Sequence, residues 1–215
     1  MRSKVAVATV QGKAYFLIVN ELKRRGILFI SLIPGQQVPI QIRVVITTEK
    51  EKHLVSHEKV LVFNSQTDPE ILGSTVIKFL QGKENYESVV VGVDPGEVFG
   101  VAVLADGGVI DAENCFSVKE VVDKIKSVLK TVDLRVTAVS VKVGNGVPVY
   151  HKLMEAMDEA LPNEVKLEVV GEAGTNRFRH EAQHRRGLRH IFSAMRIAGR
   201  AGYVYARGQI VEQES

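Results

Sequence analysis

A chain of 215 residues, 45% of them hydrophobic, holds enough apolar material for one large domain or two small ones, and this excludes wholesale disorder. Its one cysteine, Cys115, excludes an internal disulfide and a thiolate metal cluster and reads as a small core residue. The net charge is only +3, but residues 171–207 carry eight arginines, no lysine and two acids, a local +6 against −3 for the remainder. No apolar run approaches ~20 residues and the first residues alternate like a strand, so a cytoplasmic protein with no membrane partner is expected.

In chain order, Lys4–Val10 reads as a strand. Gln11-Gly12 then opens a helix with Tyr15, Ile18, Val19 and Leu22 at helical spacing. Lys23-Arg24-Arg25 suit its last turn and Gly26 its C-cap. Ile27–Ile33 is a second strand stopped by Pro34-Gly35, and Gln41–Thr47 and Lys59–Phe63 are two more, with the charged EKEKH run between them as a solvated loop. His53 and His57 have i,i+4 spacing but no third ligand near them, so they read as exposed loop residues. Asp68 caps a helix whose apolar face is Ile71, Leu72, Val76, Phe79 and Leu80. Residues 1–84 therefore form a small α/β domain without a catalytic constellation, bounded at Lys83-Glu84-Asn85.

The second half is more regular. Val89–Val93 is a continuous apolar run, hence a strand buried on both faces, and it ends on Asp94 before Pro95-Gly96. Val98–Leu104 follows, and Asp106-Gly107-Gly108 signals a hairpin into Val109–Ala112. Ser117-Val118-Lys119-Glu120 is a capping box for a helix with Val121, Val122, Ile125, Val128 and Leu129 inward. Arg135–Val143 is a fourth strand. Gly144-Asn145-Gly146 leads into a helix with Tyr150, Leu153, Met154, Met157 and Leu161 inward, and its backbone N–H groups could cradle a phosphate. Val165–Val170 is a fifth strand ending at Gly171-Glu172, and a basic helix with Leu188, Ile191, Phe192, Met195 and Ala198 comes last. The order is βββαβαβα over residues 85–207, with 208–215 as a tail.

A carboxylate at the end of a buried strand calls for a cation. Arginine without lysine suits planar, bidentate contacts to phosphate, so Arg177, Arg179, Arg185, Arg186, Arg189, Arg196 and Arg200 are candidate nucleic-acid contacts.

That element order, together with VVVGVDPGEVFGVAVL at Val89–Leu104, resembles the ribonuclease H-like fold and within it the RuvC/YqgF-type Holliday-junction resolvase family, over residues 88–200. The resemblance implies a mixed α/β sheet and divalent-metal-dependent phosphodiester hydrolysis with magnesium or manganese. It also implies a structured or branched DNA, or an RNA, as partner, and a homodimer as a frequent assembly. Asp94 matches the first-strand aspartate, and Glu172 sits like the glutamate of the "DER" motif, with Thr175 near the threonines that follow it. His190 and Ser193 occupy the two aspartate positions of the family's C-terminal helix. The implied catalytic set is Asp94, Glu172 and His190, with Glu181 as a further metal-binding carboxylate and Asp111 a weaker candidate. A fourth-strand acid would fall near Lys142, which is not one. These substitutions leave an alternative: a non-catalytic nucleic-acid-binding protein of the same fold. A sugar-kinase/actin-type ATPase ranks last, because residues 1–84 hold no second phosphate motif.

Overall fold

The computed structural model describes residues 3–64, 66, 68–171 and 186–208, with residues 186 and 187 described in backbone alone. It is a mixed α/β chain in two compact units, Met1–Glu84 and Asn85–Ser215. No described helix is long and apolar enough to cross a membrane.

In the first unit, β1 (Val5–Ala8), β2 (Phe29–Leu32), β3 (Val44–Thr48) and β4 (Val60–Phe63) form a parallel sheet in the order β2-β1-β3-β4. Parallel strands need cover on both faces. Val5, Val7, Val44 and Ile46 meet Ile18 and Leu22 of α1 (Gly12–Arg24) and Leu72 and Val76 of α2 (Pro69–Leu80) on one side. Ala6, Ala8 and Val45 meet Ile42, Val38 and Val55 from the connecting segments on the other. Asp68 accepts from the Glu70 N–H at 2.9 Å, as a cap should. Arg24 and Arg25 do more than oppose the helix dipole: both bond the buried Glu21, and their hydrogen bonds overcome its burial and hold its carboxyl below the ordinary range.

The EKEKH run is not a solvated loop. Lys52–Leu54 makes a 3-10 turn and Glu51 is buried. Its carboxylate takes hydrogen bonds from the Thr9 hydroxyl, from the Thr48 hydroxyl at 2.5 Å and from the Val10 N–H at 2.9 Å. Burial pushes this carboxyl up, and those three donors outweigh it and bring it below the ordinary value. His57 is likewise occupied: Nδ1 accepts from the Lys59 N–H at 3.0 Å and Nε2 faces the Ile42 carbonyl at 3.1 Å, so it does not pair with His53 on a metal.

In the second unit, β5 (Ser88–Asp94), β6 (Phe99–Ala105), β7 (Gly108–Cys115), β8 (Ala138–Gly144), β9 (Lys166–Val170) and the two-residue β10 (Tyr203–Val204) form one sheet in the order β10-β9-β8-β5-β6-β7. β5 runs antiparallel to β6 and parallel to β8, and β9 runs parallel to β8. The β6–β7 hairpin closes on Asp106 (φ +47°) and Gly107 (φ +80°), the paired left-handed residues of a tight turn. Asp106 also accepts from the Glu87 and Ser88 N–H groups at 3.0 and 2.9 Å. Two strands begin elsewhere than the pattern suggests: β3 starts at Val44, and β8 at Ala138, because Asp133 takes the Arg135 and Thr137 N–H groups into a turn through its side chain and carbonyl.

Alternation gives this sheet two different faces. Val89, Val91, Val93, Val101, Val103, Val139, Val141 and Val143 are buried on the face carrying α3 (Val118–Leu129) and α4 (Val149–Ala160). The other face presents Gly92, Asp94, Gly100, Lys142, Gly144 and Glu168 toward α5 (Arg186–Ala198) and the residues after it. Ser117 accepts from the Glu120 N–H at 3.1 Å, while Glu120 reaches back to the Phe116 N–H at 2.9 Å, so the capping box closes one residue earlier than its usual form.

One arginine of the basic segment is structural. Arg207 bonds the Asp158 carboxylate at 2.7 Å and the carbonyls of Asp158, Leu161 and Pro162 at 2.8, 2.6 and 2.6 Å, which caps the end of α4. The Arg207 hydrogen bond first, then the Gly208 N–H, hold the Asp158 carboxyl below its ordinary value against slight burial. That lowering stabilises the fold above the unfolded carboxyl value of ~4 and is lost as pH falls through the folded value. Arg207→Met is therefore expected to cost about 2 kcal/mol at pH 7, a drop of about 4–8 °C in melting temperature, with the gap to wild type narrowing in acid. Equal melting at pH 7 would show that the cap carries no stability.

Candidate functional site

The site is built where α5 lies down on the sheet. Gly92 in β5 and Gly100 in β6 make this close approach possible: a Cβ on Gly92 would overlap the Ala194 carbonyl oxygen and lie 2.8 Å from Ala198, and one on Gly100 would overlap the His190 carbonyl. Ala194, Ile197 and Ala198 supply the buried side of the helix, the two alanines its small positions. Gly100 is the register partner of Asp94, so the same contact that seats α5 brings His190 over the end of β5.

Asp94, with 15% of its side chain exposed, and His190 approach with Nδ1 3.6 Å from Oδ2. That is too long for a hydrogen bond and right for an ion pair once the imidazole is protonated. Beside them lies a cavity of about 200 Å³ lined by Asp94, Val170, Gly171, Ser193, Arg196, Ile197 and Arg200. Of the residues singled out in the sequence, Asp94, His190, Ser193, Arg196 and Arg200 are thus brought together. His190, Ser193 and Arg196 recur at threes along α5, which places them on adjoining turns. Arg189 is on the solvent side of α5, and Arg186 is the first residue of the helix. Glu172, Thr175, Arg177, Arg179, Glu181 and Arg185 lie outside the described residues.

Two expectations change, and Lys142 takes a structural part. Asp111 is not near this site: it is buried on the opposite face, with Lys124 Nζ 2.8 Å from Oδ2. Asn145 does not offer its N–H to a phosphate, because that group donates to the Val170 carbonyl at 3.1 Å. Lys142 is a tie: its ammonium donates to the Arg200 carbonyl at 2.6 Å and stands 3.9 Å from Glu168, which anchors the chain leaving α5. Sequence reading missed both the glycine floor and this anchor. The signal for the first was present, since glycines inside strand patterns mark close backbone approach.

Among the described residues no group of three or more His, Cys, Asp or Glu side chains is arranged to hold a metal ion. Asp94 and His190 offer one oxygen and one nitrogen donor, a mixed pair that suits manganese better than magnesium.

A family model for response regulator receiver-like domains matches residues 4–76, which run from β1 into α2. No curated protein matches. Among solved structures, the chain is similar to the Argonaute of Marinitoga piezophila in complex with a 5′-OH guide RNA, with 12% identity and a TM-score of 0.30. It is also similar to the same Argonaute with guide RNA and target DNA, with 11% identity and a TM-score of 0.32. Both alignments cover 79% of this chain and 39% of the Argonaute chain.

Proposed function

We propose that residues 85–207 form a ribonuclease H-like domain, related to the RuvC/YqgF-type resolvases, that holds the backbone of structured nucleic acid at the Asp94 end of its sheet and hydrolyses a phosphodiester there. The strand order supports the fold reading: an antiparallel meander β7-β6-β5 extended on the far side of β5 by the parallel strands β8 and β9. The convergence of Asp94, Ser193, Arg196 and Arg200 on one small cavity, with His190 beside Asp94, carries the functional reading.

In this reading the guanidinium groups of Arg196 and Arg200 take the phosphate charge. The Ser193 hydroxyl is placed to donate to a phosphate oxygen. Asp94 stands beside the Nδ1 side of His190, so Nε2 can move a proton at the leaving or attacking oxygen. A magnesium or manganese ion held through Asp94, with His190 and Glu172 as further donors, would supply Lewis-acid activation of water.

The test is cleavage of a four-way junction, a splayed duplex and an RNA–DNA hybrid with magnesium or manganese. Asp94→Asn is expected to lower the rate by at least about 100-fold while leaving affinity within a few-fold of wild type, and Glu172→Gln to follow it. A second reading, binding without cleavage, is favoured by Lys142, which stands where a fourth-strand acid would. Tight, salt-sensitive binding with no metal-dependent cutting by wild type would establish that reading instead.

A further inference from the structure

The solvent side of α5 carries an aromatic ring that the site above does not use. Along the helix Leu188, Arg189, Phe192 and Arg196 are exposed, while Ala194, Ile197 and Ala198 are buried against the sheet. Phe192 is 52% exposed and Leu188 39%. Leaving a large apolar ring half in water forgoes stabilisation that burial would provide, and nothing about seating α5 requires a ring there, because the seat is made by small residues. Phe192 is flanked by Arg189 three residues before and Arg196 four residues after, so the two guanidinium groups belong to the turns on either side of the ring. The next residue, Ser193, lines the cavity beside Asp94, as Arg196 does. No acid occurs between Glu181 and Glu212, so nothing on this stretch repels a polyanion.

A ring set between two arginines has the chemistry of a stacking platform: each nucleobase offers a π-face and the neighbouring phosphates take the positive charges. A base within a duplex is already stacked on both sides and cannot be reached by such a ring. We infer that Phe192 stacks on an unpaired base next to the phosphate held at the Asp94 cavity, so that the ligand of this face is a single-stranded or locally unpaired nucleic-acid segment. This rests on the nucleic-acid reading above and narrows it. Specificity follows from strand state rather than from sequence, since stacking is tolerant of base identity and Phe192 has no polar atom with which to read one.

The chain contains no tryptophan, which makes Phe192→Trp a single fluorescent reporter at the platform. Binding of labelled oligo-dT and of a blunt mixed-sequence duplex of equal length is measured without divalent ions, so that cleavage plays no part. Phe192→Ala is expected to lose on the order of 10-fold in affinity for the single strand and less than about twofold for the duplex. Phe192→Trp is expected to bind oligo-dT as wild type does, with its emission quenched on binding. Equal loss on both ligands, no loss on either, or an unquenched tryptophan in the bound state would overturn the inference while leaving the nucleic-acid reading intact. A wild-type protein that binds neither ligand would overturn both. A mass in light scattering that falls only in Phe192→Ala would assign the face to protein association and overturn the stacking role.

Discussion

Gly100→Ala is expected to lower the melting temperature of the protein by about 6–12 °C, corresponding to roughly 3 kcal/mol, and to weaken the site along with the fold. The added methyl group has nowhere to go. It would overlap the carbonyl oxygen of His190 and come within 2.9 Å of His190 Cβ, and both obstacles are parts of a helix, not the free end of a flexible side chain. Relief requires α5 to rise from β6. That motion separates His190 from Asp94 and unseats Ala194 and Ile197, which are buried beneath it. Gly12→Ala is the control. A Cβ there meets nothing within 4 Å, at the first position of a helix, so stability should stay within about 0.5 kcal/mol of wild type or rise. If both variants melted like wild type, α5 would not lie against β6 as described.

The second large effect lies on the other face. Lys124 of α3 is 3% exposed and holds Asp111, 5% exposed, at 2.8 Å and Glu113 at 3.0 Å. Two charges removed from water are tolerable together, and either alone is not. Lys124→Met should cost about 3–5 kcal/mol, because it strips the ammonium from the buried Asp111 carboxylate, whereas Glu113, 26% exposed, can turn toward solvent. The Lys124→Met/Asp111→Leu double variant should recover most of that loss, since an apolar pair of similar volume often matches a buried ion pair. Urea denaturation of the two single variants and the double variant gives the coupling directly. Additive losses would show that the two groups do not act as a pair.

The contrast between these positions shows what the sequence could and could not convey. The local devices were legible because their signals are local. Asp68 caps α2, Asp106-Gly107 turns the hairpin, and the unbroken Val89–Val93 run is the centre of a sheet buried on both faces. Glu51 was not legible. It sits in a charged run that reads as solvated, and its burial is decided by Thr9 and Thr48, which only the parallel pairing of β1 with β3 brings beside it. Arg207 looks like one more member of a basic cluster until the carbonyls at the end of α4 are seen around it. β10, at two residues, is shorter than any periodicity can register. For the site, Asp94 stood out as a carboxylate closing an apolar strand, and the spacing of His190 and Ser193 was readable along α5. The lysine that ties Arg200 to the sheet needed the register of β5 with β8.

The seat of α5 is made through main-chain atoms. Gly92 faces the carbonyl of Ala194, and Gly100 faces the carbonyl and Cβ of His190, atoms that nearly every amino acid possesses. The distance between helix and sheet is therefore indifferent to which functional groups stand at positions 190 and 193. Carboxylate, imidazole or hydroxyl can be exchanged there over an unchanged framework, with Asp94 fixed below. Under the proposed function, gain and loss of chemistry on this scaffold would be separated by a few side chains and require no refolding, so an active and a purely binding form would be close neighbours in sequence.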